Sequence, residues 1–189
     1  MKSINKYFIL FIIIFQTPAH ILADQLSKPA CSIDMNIQTR SYELEVSSVD
    51  IEASTTAYMN DTITLAIVAQ EVTNLDTYQL DVTFDPAKLV FLKGYSEVPS
   101  YGIQNFLKTN GGSTIGFQAF QKSSGVINIV NTLVGKNMDQ APEGSGILAI
   151  LRFKLLEDGQ SQIQLKNIHF LDSNKTRCPV QQINNGQIN

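Results

Sequence analysis

The stretch YQLDVTFDPAKLVFLKG, from Tyr78 to Gly94, constrains the fold more than any other part of the chain. Tyr78, Leu80, Val82 and Phe84 alternate with Gln79, Asp81, Thr83 and Asp85. A period of two sends the first set to one face of a strand and the second to the other. Asp85 suits the cap of a turn, and Pro86 suits its first position, where a backbone N–H has no partner in any case. Leu89, Val90 and Phe91 then start a new apolar run. A half-buried strand that stops at Asp-Pro and restarts at once is leaving one sheet for another, which is how a β-sandwich turns a corner.

The remainder of the chain has the same character. From Tyr42 onward the strand candidates are YELEVSSVDIEA, DTITLAIVAQ, STIGFQAFQ, GVINIVNTLV, ILAILRFKLL and SQIQLKNIHFL, with no sustained helical stripe. Asn110-Gly111-Gly112, Ser124-Gly125, Asp158-Gly159 and Asn185-Gly186 separate or follow them, all residue types that tolerate the positive φ of tight turns. ILAILRFKLL begins apolar on both faces, which predicts a central strand covered on two sides.

The N-terminus reads as an export signal. Lys2 and Lys6 precede the uncharged apolar run Tyr7–Phe15, which falls well short of the roughly 20 residues of a membrane span. Pro18 follows, and Ile21-Leu22-Ala23 sets cleavage after Ala23, an uncleaved anchor being the alternative. The expected organisation is a signal peptide over 1–23, an N-terminal extension over 24–40 without periodicity, and one domain over 41–189. The expected location is secreted or extracytoplasmic. The net charge of −3 becomes more negative once Lys2 and Lys6 are removed, and no basic block remains for nucleic acid or an anionic membrane. The only cysteines, Cys31 and Cys178, are expected to form one disulfide in an oxidising compartment, two free thiols being the alternative.

With these features in place, YQLDVTFDPAKLVFLKG, PEGSGILAILRFKLL and IQLKNIHFLDSN together resemble the cohesin family, over about Glu43 to Ile188. The motifs that carry the resemblance are the corner at Phe84-Asp85-Pro86 and the Gly144-x-Gly146 before a strand. It implies an all-β jelly-roll sandwich of about nine strands, related in fold to certain carbohydrate-binding modules. It also implies a protein partner, a calcium-binding dockerin, gripped by the outward face of the strand before the corner. Matched on the Asp-Pro corner, the partner-binding positions are Thr77, Gln79, Asp81 and Thr83. A Cys31–Cys178 bond would tie the two ends of such a domain together.

Catalysis has little to work with. After cleavage one histidine, His169, remains, expected as an ordinary strand residue, so neither a nucleophile triad nor a multi-histidine metal site can be assembled. Phosphate-binding loops, dinucleotide fingerprints and EF-hand loops are missing from the sequence. Asp50 and Glu52, Asp81 and Asp85, and Glu157 and Asp158 are the closest carboxylate pairs, all in strand or turn contexts that need no catalytic explanation. The expectation is a non-enzyme without cofactor or metal, calcium entering only through a dockerin-type partner. Two rivals stand beside partner recognition linked to extracellular polysaccharide degradation. One is direct carbohydrate binding through Tyr95 and Tyr101, in a chain without tryptophan. The other is a structural role in an envelope or secretion assembly.

Overall fold

A computed structural model describes residues 28–40, 43–45, 47–135 and 140–189; the expected signal peptide lies outside them. In chain order the strands are β1 (Ala30–Asp34), β2 (Gln38–Arg40), β3 (Glu43–Glu45), β4 (Ser54–Thr55), β5 (Thr62–Val72), β6 (Leu75–Thr83) and β7 (Leu89–Tyr95). Two short 3-10 turns follow at Pro99–Tyr101 and Phe106–Lys108. Then come β8 (Thr114–Ser123), β9 (Val126–Leu133), β10 (Gly144–Leu155), β11 (Ser161–Asp172), β12 (Arg177–Cys178), β13 (Gln182–Asn184) and β14 (Gly186–Ile188). The fourteen strands among the described residues exceed the expected nine or so because several are edge pieces of two or three residues, too short to carry a periodic signal. No helix among the described residues is long and apolar enough to cross a membrane.

Two sheets face each other. One runs β13-β1-β5-β10-β7, the other β4-β14-β11-β6-β9-β8 with β12 on β11, and β2 and β3 form a separate pair. The chain passes between sheets at the Asp-Pro corner as expected, since β6 pairs with β9 and β11 while β7 pairs with β10. Tyr78, Leu80 and Val82 have no exposed surface and Phe84 has 8%, which puts the even-numbered face of β6 in the core. The Asp85 side chain accepts from Ala87 N (2.9 Å), as a turn cap does. Phe84 N donates to Gly125 O (2.9 Å) in the β8–β9 turn. Gly125 sits at φ +71° with Phe84 O 2.6 Å from where a Cβ would lie, so both its conformation and its surroundings demand glycine. The Phe84 and Phe91 rings both pack on Phe153, with centroids 5.2 and 5.7 Å away, and clamp the corner between the sheets.

β10 lies between β5 and β7, and Leu148 to Leu151 are buried on both faces. The outward side of this sheet carries a second apolar cluster of Ala66, Val68, Ile103 and Ile150, with Ile51, Tyr95 and Val98 packed against it. Asn105 pins the 3-10 segment to the core. Its Nδ2 donates to Leu148 O (2.6 Å) and to the Tyr78 hydroxyl (3.0 Å), and its Oδ1 accepts from Leu107 N (3.1 Å).

Two expectations are corrected. The segment before Arg40 is no mere extension: β1 enters the first sheet between β5 and β13 with all five residues buried. Its polar members are satisfied, Ser32 Oγ donating to Gln70 Oε1 (2.6 Å) and accepting from Asn184 Nδ2 (2.9 Å). The Cys31–Cys178 disulfide is not formed, and both thiols are free. Cys31 lies in β1 of one sheet, whereas Cys178 lies in β12, on the edge of β11 in the other. Burial pushes the Cys31 thiol up to about 12, and burial followed by the charge of Asp172 raises Cys178.

Candidate functional site

The outward face of β11, β6, β9 and β8 follows from the registers. Thr77, Gln79, Asp81 and Thr83 of β6 stand opposite Thr132, Val130, Asn128 and Val126 of β9. On the other side they meet Leu171, His169, Lys166 and Gln164 of β11. Gln118 and Phe120 of β8 continue the Val130 and Asn128 rows. The pattern follows from alternation: each of these strands sends every second residue to the core and the others to this surface.

The four residues singled out from the sequence share this face but differ in character. Gln79 is exposed, Thr77 and Thr83 are half-buried, and Asp81 is buried. Asn128 Nδ2 donates to Asp81 Oδ1 (2.7 Å), Asn167 Nδ2 donates to Oδ2 (2.8 Å), and Lys122 Nζ lies 3.7 Å from Oδ2. Burial alone would raise the Asp81 pKa, but the two amide donors and the Lys122 charge together bring it below the ordinary carboxylate value. Asn167 reaches the carboxylate from a bulge in β11, where it adopts φ +48°. The Thr77 and Thr132 hydroxyls are 2.6 Å apart, and Thr77 Oγ1 donates to Asp76 Oδ2 (2.7 Å), which also pairs with Lys175. Asp81 therefore stiffens the face, and Gln79 is the free polar contact at its middle.

Alternation alone did not single out the apolar part of this surface. Phe120 is 45% and Ile115 62% exposed, and Val126 and Val130 are half-buried beside them. The β8–β9 side of the face thus displays an aromatic and aliphatic patch beside Gln118, Gln79 and the threonines. An aromatic anchor with polar groups around it, on a rigid sheet, suits contact with another protein. STIGFQAFQ did hold the signal, in Ile115 and Phe120, which break the expected polar outer row.

Tyr95 ends β7 of the opposite sheet, and Tyr101 lies in the 3-10 turn that follows it. Tyr95 is half-buried against the second apolar cluster, with Lys93 Nζ 4.9 Å from its ring centroid. Tyr101 is 40% exposed and borders a cleft of about 650 Å³ lined by Ser48, Gln104, Thr109 and Gly146. His169 is exposed opposite Gln79. Among the described residues no cluster of three or more His, Cys, Asp or Glu is arranged to hold a metal ion.

A scan against models of known protein families finds no match, and neither does a search of curated proteins. The solved structures do match. The sixth cohesin of Acetivibrio cellulolyticus scaffoldin B, solved with a mutant Cel5 dockerin, superposes with a TM-score of 0.62 at 15% identity, covering 86% of this chain and 99% of that one. A type II cohesin domain from the cellulosome of the same organism gives 0.62 at 20% identity, covering 86% and 96%. A non-cellulosomal cohesin from the archaeon Archaeoglobus fulgidus gives 0.57 at 13% identity, covering 86% and 90%. The chain therefore has a cohesin-like fold.

Proposed function

We propose that this chain is a secreted, non-catalytic recognition module that binds a protein partner through the outward face of β11, β6, β9 and β8. The partner class is a calcium-loaded dockerin-type module, and the setting is extracellular polysaccharide degradation. One observation carries the reading: an exposed Phe120 and Ile115 stand in a polar surround on a stiffened sheet face, in a fold whose similar solved structures include complexes with dockerins. Binding of purified dockerin modules in calcium, measured by interferometry against wild type and Phe120→Asp, tests it. Micromolar or tighter binding that Phe120→Asp abolishes supports the reading. Failure of the whole panel at micromolar concentrations, or binding that ignores the substitution, counts against it.

A second reading, carbohydrate binding, is favoured by Tyr101 at the rim of its cleft. It requires retention on insoluble polysaccharide that Tyr101→Ala removes.

A further inference from the structure

The charges on the outward face run against those of the chain. The protein as a whole is acidic, with a net charge of −3. On β6, β8, β9, β11 and β12 the acidic residues are Asp76, Asp81 and Asp172; the first two are withdrawn from the surface, and the third is half-buried with one oxygen engaged by the backbone. The side chains of Asp76 and Asp81 are 6% exposed and face Lys175 and Lys122, and Asp172 Oδ1 accepts from the backbone N–H groups of Asn174 and Thr176. The cations do reach water. Lys122 and Lys175 keep 58% and 57% of their side-chain surface. Lys166 and Arg177 are exposed on the β11 flank and pair with no carboxylate among the described residues.

We infer that this face receives an acidic protein surface, whose carboxylates meet Lys166 and Arg177 while an apolar side chain seats against Phe120 and Val130. The inference rests on the recognition reading above and adds the chemistry of the partner. Charges of opposite sign across an interface steer encounter and fix register, and the withdrawn aspartates remove the repulsion that an acidic partner would otherwise meet.

Amide shifts of the nitrogen-15-labelled protein report the test. The probes are a peptide of alternating Glu and Phe, its Lys-for-Glu counterpart, and polygalacturonate. The Glu peptide should shift amides of β6, β9 and β11 saturably, about tenfold more weakly when salt rises from about 50 to about 500 mM. Lys166→Glu with Arg177→Glu should weaken it roughly tenfold, with thermal stability unchanged because both side chains are exposed. The milder Lys166→Gln with Arg177→Gln should fall between. Equal or tighter binding of the Lys peptide, binding of polygalacturonate in place of the Glu peptide, shifts on the other sheet, or no shifts would each overturn the inference. A dockerin that binds wild type and the Glu variant alike overturns it while leaving the recognition reading intact. A Glu peptide that seats on the face when every dockerin fails supports it and removes the dockerin as partner class.

Discussion

Asp81→Asn separates a carboxylate that organises the face from one that merely sits on it. Wild-type Asp81 accepts one amide bond at each oxygen and has Lys122 nearby. The asparagine keeps one acceptor and turns an N–H2 toward a donor. Asn128 is 7% exposed and, without the carboxylate, keeps only its long bond to Leu80 O (3.4 Å), so turning the new N–H2 toward it costs about 1–3 kcal/mol. Asn167 is exposed and recovers water, and the exposed Lys122 adds at most about 1 kcal/mol. The net expectation is a loss of about 2 kcal/mol near pH 7, or a fall of roughly 4–8 °C in Tm for a domain of this size. The pH dependence has a definite sign. The folded pKa of Asp81 lies below its unfolded value, so its stabilisation is present above the unfolded pKa of about 4 and disappears as pH falls through the folded value. Urea unfolding followed by tyrosine fluorescence should therefore show wild type and variant converging as pH drops below about 4. A gap that stays constant with pH, or one below about 0.5 kcal/mol at neutral pH, would refute the assigned role.

Asp34 should behave in the opposite sense. Its burial raises the pKa more than the N–H groups of Asn36 and Glu52 lower it, so the ionised form opposes folding increasingly as pH rises through the folded value; Asp34→Asn should equal or exceed wild type in urea midpoint near pH 7. Tyr78→Phe should cost about 1 kcal/mol in the same assay, since the lost hydroxyl donates to Leu148 O (2.5 Å) but Asn105 still serves that carbonyl. Gly125→Ala should cost about 2 kcal/mol or more, from the left-handed backbone and the approach of Phe84 O. In native protein iodoacetamide should label Cys178 and spare Cys31 until the chain unfolds, as mass spectrometry would show; equal labelling would contradict the burial of Cys31.

The legible parts of this fold were those where one face of a strand is wet. β6, β9 and β11 alternate because their outer faces meet solvent, and Phe84-Asp85-Pro86 marks the crossing because a capped turn needs those residue types. β1 was hidden for the converse reason. Ala30 to Asp34 are buried on both faces, so no alternation exists, and Ser32 and Asp34 make the segment look like a polar linker until Gln70 and Asn184 supply their partners. Asp81 was correctly placed on the outward face, yet its burial depends on Asn128 and Asn167, 47 and 86 residues away in the chain. Asn185-Gly186 was read as a turn needing positive φ. The structure instead packs Gly186 so tightly that a Cβ would lie 2.5 Å from Met35 Sδ, a closeness visible only once β1 and β14 are brought together.

The neighbours of β1 bear on how the molecule is held together. Its edge is completed by a parallel strand, Ala30 lining up with Gln182 and Ser32 with Asn184, partners 152 residues apart along the chain. A chain cut short of Gln182 would leave that edge unpaired, so loss of β13 uncovers a strand of the sheet rather than trimming a loose tail.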